Sequence, residues 1–134
     1  MTTSDRPEET AVPAPRTYLE RTRGRILDAS ELLRVASEVQ LVEGGEALAR
    51  SPRGILHLGL TDRRLLVVMG GRLTRRARLL AEWPTGALAI STTRRRVGGN
   101  LIHIAPGGND AALLSFEWIR GQRPREWEPY RYRQ

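Results

Sequence analysis

The chain contains no cysteine and no lysine, two histidines, and seven aromatic residues among 134. Without cysteine there is no thiol nucleophile, no disulfide staple and no cysteine–zinc ribbon, and nothing marks an oxidising compartment. No apolar run approaches the roughly 20 residues that a helix needs to cross a bilayer. Met1 to Thr10 is acidic and polar, the opposite of the basic start and apolar centre of a secretory signal. Cytoplasmic placement is therefore the expectation.

The histidines are as unpromising for chemistry as they are few. His57 and His103 fall in separate strand-like segments, and no His-x-x-x-His, Glu-x-x-His or Asp-x-Asp spacing offers metal ligands. Ser91 and Ser115 have no nucleophile-elbow signature around them. Gly98-Gly99-Asn100 and Gly107-Gly108-Asn109 lie between strands with no following helix to receive a phosphate, so they read as hairpin turns. The expectation is a protein that is not an enzyme and that uses no cofactor and no metal.

What the chain has in place of lysine is arginine, 22 of them, for a net charge of +7. Arginine in place of lysine throughout fits codon bias in a GC-rich genome, so the informative property is where the arginines sit. Residues 1–49 carry six arginines against nine acids, net −3. Residues 50–96 carry eleven against only Asp62 and Glu82, net +9, and residues 97–134 carry five against four. A local excess of one sign steers partners of the other.

The length suits one domain with its own core. Residues 1–15 hold three prolines and almost no large apolar side chains, the composition of a disordered leader. From Arg16 to about Val42, apolar residues at spacings of three and four predict helix, best over about 29–40. Asp28-Ala29-Ser30-Glu31 supplies a capping box and Gly44-Gly45 a stop. Beyond this the period changes to two. Strands are predicted at 47–49, 55–60, 65–69, 73–82, 88–93, 101–105 and 111–118, with Gly, Pro and Asn turns between them. The fold class is mainly β (α+β), a small antiparallel seven-strand barrel or sandwich with an N-terminal helix. The domain spans 16–118. Residues 119–134 form a tail or a short helix near 124–128, in which Trp127, Tyr130 and Tyr132 either pack back on the domain or dock a partner.

The stretch from Ile55 to Met69, centred on Leu60-Thr61-Asp62-Arg63-Arg64-Leu65, resembles bacterial pleckstrin-homology-like and GRAM-type domains. Glu82-Trp83-Pro84 and the Leu114-Ser115-Phe116 strand are similar too, and the resemblance covers roughly residues 30–118. It implies a pleckstrin-homology-like fold, a structural turn in which Asp62 accepts backbone N–H bonds, and an Arg64 that pairs with a neighbouring carboxylate. Such domains usually close one end of the barrel with a long C-terminal helix. Gly121, Pro124 and Pro129 leave little room for one here, which gives the 29–40 helix that task.

Arg72, Arg76 and Arg78 alternate on one face of the 73–82 strand, projecting together along about 20 Å. Arg94, Arg95 and Arg96 follow the next strand, its neighbour in a simple meander, and Arg63 lies in the preceding turn. Such a face suits a protein partner or an anionic lipid surface, with a peripheral position at the inner membrane surface. Nucleic acid is the alternative partner, although residues 50–96 hold one aromatic, Trp83, and so no stacking platform. The plain competing reading is a solvated face that keeps the protein soluble.

Overall fold

The computed structural model describes residues 17–44, 48, 54–70, 77–95, 97 and 99–130. Leu33 to Glu43 reads Leu-Arg-Val-Ala-Ser-Glu-Val-Gln-Leu-Val-Glu, and its odd-numbered positions up to Leu41 are apolar except for Ser37. That period of two competes with the three-and-four spacing that predicts a helix over about 29–40, and the strand wins. Leu33–Glu43 is β1, and the helix expected over about 29–40 is not formed among the described residues. Val35 and Val39 are buried on one face while Arg34 and Gln40 meet solvent.

The remaining strands are β2 (Ile55–Thr61), β3 (Arg64–Met69), β4 (Arg78–Pro84), β5 (Leu88–Thr93), β6 (Leu101–Pro106) and β7 (Leu114–Gly121). All pair antiparallel in one sheet of order β4-β3-β2-β1-β7-β6-β5, with β4 and β5 as its unpaired edges. Helix is limited among the described residues to short 3₁₀ turns. The strand expected at 47–49 lies outside the described residues except for Leu48, and so does the first part of the 73–82 strand.

β1 carries the architecture because it pairs on both sides with offset halves. Residues 33–40 face β2, from Leu33 opposite Thr61 to Gln40 opposite Ile55. Residues 37–43 face β7, from Ser37 opposite Gly121 to Glu43 opposite Ser115. Register shifts after Leu33, Glu38 and Leu41 bend the strand, as bulges do. The sheet therefore folds round a single core to which all seven strands contribute, including Leu58, Val67, Leu80, Ile90, Ile104 and Phe116.

The first half of the sheet is covered on its other face too. Leu19 and Leu27, from the segment Thr17–Leu32, pack on Leu33, Ala36, Leu66 and Val68. This is why β3 reads as an unbroken apolar run: Leu65 and Val67 face the core, Leu66 and Val68 the N-terminal strap. Gly59 makes the strap's seat, since a side-chain carbon there would overlap Leu19 Cδ1.

β4 departs from the clean alternation that its sequence suggests. Val67 opposes Ala81 but Val68 opposes Leu79, which leaves Leu80 as an extra, bulged residue. The bulge turns Ala77 and Leu79 to the strap side and Leu80, Ala81 and Trp83 to the core, splitting the single apolar face expected of this strand.

At the C-terminus two 3₁₀ turns, Pro124–Glu126 and Glu128–Tyr130, follow β7. Trp127 between them is fully buried in the main core, and its indole N–H donates to Ser37 Oγ at 2.8 Å. The Ser37 hydroxyl in turn donates to the carbonyl of Gln122, which also accepts the Trp118 indole N–H. Among the described residues, this tryptophan joins the main core, and the 29–40 helix expected to close one end is not formed.

Candidate functional site

The turn between β2 and β3 holds the most highly connected polar cluster. Thr61 Oγ1 accepts the backbone N–H groups of Arg63 and Arg64, both at 3.0 Å, so threonine organises the turn that the resemblance assigns to Asp62. Asp62 acts across the sheet instead, accepting the Leu32 N–H at 3.0 Å while its own N–H donates to the Leu32 carbonyl. Arg64 donates to both oxygens of Glu31 at 2.9 Å, to Glu82 at 2.8 Å and to the Ile26 carbonyl at 2.7 Å. Glu31 is fully covered, and Thr61 also donates to it, at 2.6 Å. The Arg64 guanidinium holds the Glu31 carboxyl down to about 2 against the opposing effect of burial, with Thr61 and the Asp28 N–H helping. Glu31, in turn, raises Arg64. Every charge in this cluster has its partner inside the fold, and its product is a strap fastened to the sheet. Arg23 reinforces it by donating to the carbonyls of Asp28, Ala29 and Glu31.

Among the candidate arginines, Arg63 belongs to this same clasp. Its guanidinium donates to Asp28 Oδ2 at 3.0 Å and to Ser30 Oγ at 2.7 Å. Arg95 donates to the Gly99 carbonyl at 2.9 Å and lies 4.0 Å from Glu117, pinning the connection between β5 and β6. Arg78 and Arg94 are exposed, with no side-chain partner among the described residues. Arg72, Arg76 and Arg96 lie outside the described residues.

The structure does not gather the described four on one face. β4 and β5 are opposite edges of the sheet and not neighbours, because β1 pairs with β7 where a simple meander would continue from β4 to β5. The two edge strands are joined in sequence by the corner Thr85–Ala87, where the Thr85 N–H donates to the Arg63 carbonyl. Arg78 and Arg94 leave from the far ends of β4 and β5, each a strand's length, roughly 20 Å, from that corner.

A different grouping emerges from the ladder. Ile55 opposes Gln40, Met69 opposes Arg78, Glu43 opposes Ser115, and Ile104 opposes Leu114. The end of β1, the start of β2, the end of β3, the start of β4 and the β6–β7 connection therefore share one rim. Val42 and Ile55 are 52% and 43% exposed there. In the sequence, the connections that leave these strand ends contain Arg50, Arg53, Arg72, Arg75 and Arg76. With Arg78 that makes six arginines, against Glu43, Glu46 and Asp110. Sequence reasoning missed this grouping because the pairing of β1 with β7 is not visible in any local window.

The histidines serve neighbouring side chains. His103 Nδ1 lies 2.8 Å from Ser115 Oγ and its Nε2 2.8 Å from Thr93 Oγ1, bridging hydroxyls of the flanking strands. Burial lowers its pKa, opposed by Glu43. His57 stacks on Tyr18 of the strap with ring centroids 4.2 Å apart, and burial lowers its pKa against the pull of Glu38. Among the described residues, no group of three or more His, Cys, Asp or Glu side chains is arranged to hold a metal ion. No helix there is long and apolar enough to cross a membrane. No family model, curated protein or solved structure matches the chain.

Proposed function

We propose that this protein is a non-enzymatic binding module of pleckstrin-homology-like fold that docks on an anionic membrane surface through the rim formed by the β1–β2, β3–β4 and β6–β7 connections. The fold reading rests on the seven antiparallel strands wrapped round one core and on the Thr61-to-Leu65 turn. The observation that carries the functional reading is the exposure of two aliphatic side chains, Val42 and Ile55, at strand ends whose connections contain, in the sequence, five arginines besides Arg78. A purely solubilising face has no use for exposed aliphatic residues, whereas a membrane-contacting one gains from both components. Each arginine near an anionic surface contributes about 1 kcal/mol. Two half-buried aliphatic side chains add on the order of 1 kcal/mol each. A nucleic-acid reading finds less support, because Val42 and Ile55 provide no ring on which a base can stack. This reading places the protein at the cytoplasmic face of the inner membrane.

Co-sedimentation with neutral and with anionic vesicles, at low and at moderate salt, tests the reading. The expected outcome is retention on anionic vesicles only, weakening as salt rises. Arg78→Glu lowers affinity several-fold, and Val42→Ser with Ile55→Ser lowers it while leaving the salt dependence unchanged, since no charge is altered. Equal and negligible binding to both kinds of vesicle removes the membrane reading and leaves a protein partner.

A further inference from the structure

The structure assigns the free edge of β5 to a second copy of this chain: two β5 strands pair antiparallel about a two-fold axis at Ser91. The two edges of the sheet are not alike. β4 carries devices that keep an edge strand from pairing, namely the bulge at Leu80, the exposed charges of Arg78 and Glu82, and Pro84 at its end. β5 carries none of them. Leu88–Thr93 has no charge and no proline, and it matches β6 one for one with no register shift. Ile90, Thr92 and Thr93 are β-branched, which suits them to extended pairing.

The ladder shows which backbone groups are left over. The Gly107 N–H donates to the Ala87 carbonyl, and Leu88 lies opposite Pro106. In an antiparallel ladder this makes Leu88 and Pro106 a pair without mutual bonds. Ala89, Ser91 and Thr93 then exchange bonds with β6, while Ile90 and Thr92 turn their N–H and C=O groups to the open side. None of those groups has a backbone partner among the described residues. The C-terminal turn Glu128–Tyr130 touches β5 at the Thr92 hydroxyl, which donates to Glu128 Oε2 at 2.9 Å. With Ser91 on the axis, Ile90 of each strand meets Thr92 of the other, and every one of the open groups is used.

Charge and symmetry select this occupant. An uncharged strand meets itself without repulsion, and the antiparallel sense holds the two exposed Arg94 residues roughly 20 Å apart along the strands. That exceeds the Debye length of about 8 Å at physiological salt, whereas a parallel pair would set them side by side. A contact from β5 to β4 would leave a free edge at each end and grow into a filament. The bulge and charges of β4 block it, so association closes at two. A contact one strand long and one strand wide falls well below the about 800 Å² per partner of a stable complex. The pair is therefore weak, with a dissociation constant on the order of 0.1 mM.

The native chain has no cysteine, so single cysteines read the pairing directly. Opposed residues of a pair without mutual bonds lie about 4.5 Å apart between Cα atoms, within disulfide reach. Ser91→Cys in the full chain is therefore expected to cross-link to a dimer under mild oxidation. Thr93→Cys, also exposed but set roughly 14 Å from its counterpart, is expected not to. Sedimentation equilibrium up to about 1 mM is expected to show monomer and dimer and no larger species. Ser91→Lys places two charges face to face at the axis and is expected to weaken the dimer at least tenfold, with the urea midpoint unchanged. A chain that stays monomeric at that concentration overturns the proposal. So does growth beyond the dimer, or Thr93→Cys cross-linking as fast as Ser91→Cys. In a monomer, slow exchange of the Ile90 and Thr92 amides would show that another part of this chain covers the edge, and fast exchange would leave it to an extended peptide from a different protein. No vesicle enters these measurements, so this proposal and the membrane reading fail separately.

Discussion

A carboxylate whose side chain is fully covered must find partners for both oxygens or give up its charge. Glu31 solves this with Arg64, Thr61 and the Asp28 N–H, and its low pKa is the thermodynamic record of that solution. The sign of the pH effect follows. The folded value of about 2 lies below the ordinary value of 4.5. The stabilisation is therefore complete above about pH 4.5 and is lost as the pH falls from there toward 2, a loss of at most about 3 kcal/mol. Urea midpoints measured between pH 6 and pH 2.5 should show that decline in the native chain, and Glu31→Gln should flatten it. Arg64→Met removes the partner and leaves the charge buried, so it should cost about 3–5 kcal/mol at pH 7. With Glu31→Gln present, the same change should cost clearly less, since nothing charged is then stranded. Additive costs would mean that the pair does not interact as its geometry implies.

The strap is an element without regular structure, held by two buried leucines and by the polar clasp. Its fit depends on the absence of a side chain at residue 59. Gly59→Ala should therefore cost about 1–3 kcal/mol through overpacking against Leu19. In a Leu19→Ala background, which is itself about 2–5 kcal/mol less stable, the added methyl should cost little or nothing. Amide exchange should locate the effect: protection at 18–27 falls in Gly59→Ala while β5–β7 keep theirs. Uniform loss across the sheet would show that the strap is no separate unit. At this scale the sequence was legible wherever one pattern ruled. β2 alternates and β3 runs apolar, and both form as expected. Leu33–Glu43 satisfies the helical and the strand template together, and only its partners on either side decide between them. The Asp28–Glu31 contact is equally instructive. The Asp28 N–H does donate to the Glu31 carboxylate, the reach-back bond of a capping box, yet no helix follows, and the other Glu31 oxygen is held by Thr61 and Arg64 some thirty residues away.

Across the whole molecule the question is how an open sheet with a modest core stays closed at its ends. The concentration of arginine between residues 50 and 96 was plain in the sequence, but its distribution was not. The order of the strands disperses Arg63, Arg78 and Arg94 and assigns Arg63 and Arg95 to local bonds. The tail shows the converse, an apparently loose Pro- and Arg-rich segment that supplies the largest fully buried side chain among the described residues. Trp127 reaches the core only because Gly121, at φ +94, lets β7 turn off against Ala36 and Ser37. A domain of this size is stable by about 5–15 kcal/mol. Trp127→Ala, at about 3–5 kcal/mol, should thus remove a large part of the total and lower the urea midpoint accordingly. Trp127→Phe keeps most of the volume and loses the bond to Ser37, so it should cost only about 1–2 kcal/mol. A chain ended after Arg123 should keep its β-sheet signal in far-ultraviolet circular dichroism while losing cooperative unfolding and gaining affinity for an apolar dye. Were that shortened chain to unfold as sharply as the full one, Trp127 would be a passenger on a core that the seven strands close by themselves.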